Sequence, residues 1–276
     1  MGDEPRSVGG VVRRGFGLWA ENATTLWGVL VPLALASQLV SVIAVIATAP
    51  SGSKVINGTI EVPAGAATGA IGAAHLLGFA LSALVGVLAA GVALRIFSEA
   101  AAGSRSSGGS ALRFAWSRIG ALVWLGLLYG AVVAGGTLLL VLPGIYIAIA
   151  CTAAYPVLVA EDKRGLSALG RARELSKGRW WATLGAMAPS WLLAGGGALL
   201  VTFTLRVNGS VSTFALTQAF GGFVISVLFV PIATAASVAV YRDLRAHREH
   251  VPTIAPAPAA PAAVAAAPPP GDIWWS

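Results

Sequence analysis

The sequence predicts an all-α polytopic bundle of six transmembrane helices, and three observations predict it. Hydrophobic residues make up 57% of the 276-residue chain and charged residues 11%, where soluble domains carry roughly 45–50% and about 25%. The apolar excess is gathered into six runs of 16 to 24 residues, too many and too long for buried core helices. The basic residues fall almost entirely at one set of run ends. A soluble globular enzyme is excluded. The single Cys also excludes a disulfide framework and a multi-Cys metal site.

Residues 1–25 are expected to form a cytoplasmic interfacial segment, 26–241 the membrane domain, and 242–276 a cytoplasmic tail, basic at first and then Ala/Pro-rich and disordered. The first span covers residues 26–49. After it, Asn57-Gly58 between β-branched residues predicts a small hairpin on a type I′ turn, with Lys54 opposite Glu61. The second span, 71–94, is closed by Glu99 and Gly103. The third, 119–142, is followed by Pro143-Gly144 alone, which predicts a tight turn into a short fourth span, 145–160. Glu161 and Gly165 close that span, and the charged connection 165–181 leads to the fifth, 184–205. A second Asn-Gly pair, Asn208-Gly209, precedes the sixth span, 220–241. Five of the runs have 22 or 24 residues, enough at about 1.5 Å per residue for a hydrocarbon core of ~30 Å. The chain ends in Trp274-Trp275, read as touching the membrane interface or as a docking element.

With the N-terminus inside, sixteen basic residues face the cytoplasm and only Lys54 and Arg206 face out. That asymmetry puts both termini in the cytoplasm. It also accounts for the net charge of +7 without a nucleic-acid partner, because basic residues beside a bilayer attract anionic lipid. Trp19 and Trp27, Trp116 and Trp124, and Trp180 and Trp181 flank the cytoplasmic entries of the odd-numbered spans, where indole suits the headgroup level as an anchor. With Ser110-Ala111-Leu112 matching Ser167-Ala168-Leu169 at two junctions, they suggest one unit written three times: interfacial segment, span, outer turn, returning span.

Little in the membrane interior can do chemistry. His75 lies near an outer span end and is read as a helix–helix hydrogen-bonding residue; Cys151 is read as buried and inert. Glu99, Glu161, Asp162, Glu174 and Asp243 sit at cytoplasmic span ends and are read as charge balance. No catalytic residue, metal ligand or cofactor is expected. The connection 165–181 predicts an interfacial helix, with Leu166, Leu169, Ala172, Ser176 and Trp180 on one arc and Arg173 intruding on it. Arg171 and Lys177 flank Glu174 at three-residue spacing, and Arg171, Arg173, Lys177 and Arg179 are the expected partners of anionic lipid headgroups.

Leu142-Pro143-Gly144-Ile145-Tyr146, Tyr155-Pro156-Val157, Glu161 and the run from Ala168-Leu169-Gly170-Arg171-Ala172-Arg173-Glu174-Leu175-Ser176-Lys177-Gly178-Arg179 to Trp180-Trp181 carry a resemblance. They resemble bacterial six-span proteins named for the membrane domain of glycerophosphoryl diester phosphodiesterases. In its enzymatic members the resemblance implies a separate soluble domain that performs hydrolysis. After Tyr241 this sequence holds 35 residues, largely Ala and Pro, so the resemblance implies the membrane architecture and not the hydrolase. Arg-rich, Ala/Gly-rich usage resembles a high-GC bacterium, which implies the cytoplasmic membrane. Three functions follow in order of preference: a non-enzymatic accessory or organising protein in contact with anionic lipid, a permease for an uncharged or amphiphilic solute, and a membrane-embedded lipid-processing enzyme.

Overall fold

The computed structural model describes residues 7–63, 65, 68–204 and 208–249. Arg206, the Ala/Pro tract and Trp274-Trp275 lie outside the described residues.

Ser7 starts α1 (Val8–Thr48), its hydroxyl accepting the Gly10 N–H at 3.3 Å. With no strong breaker before Pro32, the helix runs for 41 residues. That is about 60 Å at 1.5 Å per residue, twice the thickness of a hydrocarbon core. The expected interfacial segment is therefore no separate element; it is the first part of α1, packed where Gly15 meets the backbone of Ala236. A Cβ on Gly15 would lie 3.1 Å from the Ala236 Cα.

The hairpin forms as expected. β1 (Lys54–Ile56) and β2 (Thr59–Glu61) pair antiparallel with Lys54 opposite Glu61. Asn57 and Gly58 both take positive φ, 52° and 76°, the requirement of a type I′ turn. The second Asn-Gly pair meets this hairpin. Gly209 bridges Val55 through two 3.0 Å backbone bonds, and Asn57 N–H donates to the Asn208 side chain at 2.6 Å.

α2 (Thr68–Ala101) ends at Gly103, and α3 (Gly108–Ser117) starts on Ser107, which caps the Ser110 N–H at 3.3 Å. α4 (Ile119–Leu139) and α5 (Val141–Ala150) form the expected helical hairpin, but the turn lies at Leu140 (φ −162°, ψ 141°). Pro143 is taken into the first turn of α5, where its missing N–H would have had no helical partner. Gly144 serves contact: a Cβ there would stand 2.8 Å from the Thr137 N and 2.9 Å from its Cα. The fourth apolar run is broken by a turn at 151–153 into α5 and α6 (Ala154–Glu161). α7 (Leu166–Ser176) and α8 (Trp180–Thr204) follow. α9 (Val211–Val224) and α10 (Val230–Glu249) are joined through a π-turn over Ile225–Phe229. Pro231, which cannot donate to the helix ladder, accounts for that widening. α10 continues past Tyr241 to Glu249 with Leu244 buried, so the basic stretch expected to open the tail is packed helix.

Among the described residues, five stretches are long and apolar enough to cross a membrane: Val8–Thr48, Ala80–Ala101, Ile119–Leu139, Val141–Glu161 and Val211–Glu249. The chain is all-α apart from its small hairpin. α8 is helical over 25 residues.

Two cores hold the bundle. Leu26, Leu30, Val92, Ile96, Phe97 and Val238 anchor one between α1, α2, α3 and α10. Leu122, Leu125, Val157, Leu158, Leu175 and Met187 anchor the other between α4, α6, α7 and α8. Large apolar side chains beyond these cores, such as Leu39, Leu76, Leu138 and Phe203, are exposed. That surface suits hydrocarbon, where apolar exposure carries no penalty.

Candidate functional site

The charged end of the bundle is organised around α7. Gly165 precedes it at φ 55° and ψ −129°, a conformation that side chains disfavour, with its Cα facing the Trp124 indole. The helix buries Ala168, Leu169, Ala172, Leu175 and Ser176, spaced as one helical face. This differs from the expected arc. Leu166 is 69% exposed, while Ala168 and Leu175 are buried instead and Arg173 points outward. The reason is that α6 and α10 pack on the inner face of α7. Ser176 fixes its depth by donating to the Ala150 carbonyl at 2.9 Å.

Most charges at this end are paired with each other. Arg171 binds Glu161 at 3.1 Å, Glu174 at 3.3 Å and Glu249. Arg245 binds Glu249 at 2.8 Å and donates to the Tyr241 hydroxyl at 3.3 Å. Tyr241 in turn donates to Glu161 at 3.1 Å, which closes a ring through α6, α7 and α10. Arg179 binds the buried Asp243 at 3.3 Å, and Arg95 pairs with Glu99. Arg118 grips Asp162 with both terminal nitrogens and holds its carboxyl below the usual carboxylate range. All five acids read from the sequence as charge balance are thus matched with bases.

This pairing divides the four expected headgroup partners. Arg171 (side chain 15% exposed) and Arg179 (22%) are spent on protein carboxylates. Arg173 and Lys177 are exposed and make no ion pair among the described residues. The expected Lys177–Glu174 pair is absent among them, and Glu174 is held by Arg171.

Arg173 and Lys177 stand at the mouth of a groove between the α4–α5 hairpin on one side and α7 with the start of α8 on the other. Its main part has a volume of about 1020 Å³ and walls of Val132, Leu142, Ile145, Leu166 and Trp181, with Arg173 its only charged side chain. A polar part of about 390 Å³ adjoins it, sharing Tyr146, Gly170, Arg173 and Trp180 and adding Glu174 and Lys177. Tyr146 and Trp180 stack at 5.8 Å and 14°, and Trp180 donates its indole N–H to the Tyr146 carbonyl at 3.2 Å. Cys151 lies in the wall, buried. The groove was not legible from the sequence.

Of the expected aromatic anchors, Trp27, Trp116, Trp124 and Trp181 are exposed. Trp19 packs edge-on against Trp27, and Trp180 belongs to the groove. Compared with known protein families, curated proteins and solved structures, the chain matches none.

Proposed function

We propose that the chain is a six-span protein of the bacterial cytoplasmic membrane with both termini inside. In this reading it works without catalysis, as an accessory to other membrane components, and its cytoplasmic face engages anionic lipid. The observation that carries the lipid contact is the exposure of Arg173 and Lys177, unpaired among the described residues, beside an apolar groove. Basic groups so placed near an anionic bilayer are each worth about 1 kcal/mol.

The sixth crossing is α8. Its 25 residues span about 37 Å at 1.5 Å each, more than a core of ~30 Å. Its start lies beside the end of α10 through Arg179 and Asp243. The loop after it reaches the outer hairpin through the Val55–Gly209 bridge, which supports a traverse from one end of the bundle to the other. An even number of crossings also keeps Arg242, Arg245 and Arg248 on the same side as Arg13 and Arg14. The threefold unit belongs to the same reading: α3 before α4 and α7 before α8 are short helices entering a span, and the first part of α1 takes that place without a break. The likeness to the phosphodiesterase membrane-domain family enters as architecture only. The pairing of every span-end acid with a base supports charge balance over proton transfer.

The full chain, extracted from its own membrane in polymer nanodiscs and analysed by lipid mass spectrometry, is expected to carry anionic phospholipid at least twofold enriched over the bulk membrane. Equal composition would contradict the lipid contact.

A further inference from the structure

We infer that the groove between the α4–α5 hairpin and α7 is a binding site for a single anionic diacyl phospholipid, its phosphate on Arg173 and Lys177 and one acyl chain along Val132, Leu142 and Ile145. This rests on the anionic-lipid reading above and narrows it from a charged face to one site. The volume of about 1020 Å³ lies at the upper end of the ~300–1,000 Å³ usual for ligand pockets. Its charge distribution selects the occupant. Two cations sit at one end, and the one acid near them, Glu174, is already bound to Arg171 at 3.3 Å. The rest of the wall is hydrocarbon or aromatic.

A zwitterionic phospholipid would bring a further cation beside Arg173 and Lys177, and a free phosphate would leave the apolar trough empty. A phospholipid with a net negative headgroup satisfies both ends. Arg173 offers a planar fork to phosphate oxygens and Lys177 a mobile point charge. The stacked Tyr146 and Trp180 form a rigid wall at the junction of head and chain, with the Trp180 N–H already committed to the Tyr146 carbonyl. Gly170 lies on the face of α7 that lines both parts of the groove, and nothing stands within 4 Å of where its Cβ would be. The absence of a side chain there keeps the passage between the polar and apolar parts open.

The test counts lipid retained by the full-length protein in native mass spectrometry, after detergent exchange in the presence of equal phosphatidylglycerol and phosphatidylcholine. The wild type is expected to hold one phosphatidylglycerol per chain in preference to phosphatidylcholine. Arg173→Gln with Lys177→Gln is expected to lower that preference roughly thirtyfold, from two basic groups of about 1 kcal/mol each. Gly170→Phe fills the passage without touching a charge and removes a helix-interior Gly, so its fold is retained and its bound lipid of either kind is lost. Loss of lipid in Gly170→Phe together with loss of preference in the charge variant supports the site. Retention in Gly170→Phe overturns it, even where the charge variant weakens binding, because a charged face alone would then suffice. An unchanged preference in the charge variant overturns the assigned headgroup contact. Failure of the anionic-lipid reading itself would be seen separately, as absence of enrichment in the native nanodiscs.

Discussion

Arg171→Met is expected to destabilise the folded protein by about 2–3 kcal/mol. Arg171 is the one base that touches Glu161, Glu174 and Glu249 together, and it ties α7 to the ends of α6 and α10. Its side chain is 15% exposed and that of Glu161 12%, so removing the guanidinium leaves Glu161 in a largely desolvated place, while Glu174 stays in water. Breaking a buried pair by deleting one partner costs about 3–5 kcal/mol, and partial exposure here lowers the figure. Lys163, 3.6 Å from Glu161, and the remaining links of the ring, Tyr241 to Glu161 and Arg245 to Glu249, offset only part of that loss. Unfolding of the purified protein in detergent, followed by circular dichroism, measures the loss. Adding Glu161→Gln to Arg171→Met is expected to recover part of it, because the stranded charge is gone. A loss under about 0.5 kcal/mol would instead mean that the ring behaves as an exposed surface pair.

Gly144→Ala is expected to cost about 2–3 kcal/mol, the upper part of the range for overpacking. The new Cβ would stand 2.8 Å and 2.9 Å from the backbone N and Cα of Thr137, and backbone cannot yield as the tip of a flexible side chain can. Gly136 faces the same contact from the other helix, with its Cβ position 3.1 Å from the Gly144 Cα. The α4–α5 hairpin must therefore part. Gly130→Ala and Gly195→Ala are matched controls, because nothing lies within 4 Å of either Cβ position. Both are expected to be neutral or to stabilise by up to about 1 kcal/mol as helix-interior Gly is removed. Equal effects at Gly144 and Gly130 would show that the hairpin is not set by backbone contact.

What the sequence discloses and what it hides follow from range. The Asn57-Gly58 turn and its register were legible because turn chemistry and alternation are local. Gly103 and Gly165 marked helix boundaries for the same reason. The turn between α4 and α5 was misplaced at Pro143-Gly144 because Pro is as acceptable inside a first helical turn as in a loop. The continuity of α1 was missed because a change from polar to apolar residues at Leu26 alters the environment of a helix without ending it. Nothing local reports that Arg171 meets Glu249 or that Asn208 reaches Asn57; those are contacts between elements far apart in the chain. For the same reason a run of four basic residues looked uniform, although two of them serve the protein's own carboxylates and two face a groove.

The most direct measurement is the side of the membrane on which each end of the bundle lies. Lys54→Cys in the outer hairpin and Glu174→Cys on α7, each in a Cys151→Ser background, present one exposed thiol apiece. With an impermeant maleimide on intact cells, Lys54→Cys is expected to label before lysis and Glu174→Cys only after it. Labelling of Glu174→Cys in intact cells would put the charged ring and the groove mouth outside, and would contradict both the orientation and the lipid contact built on it.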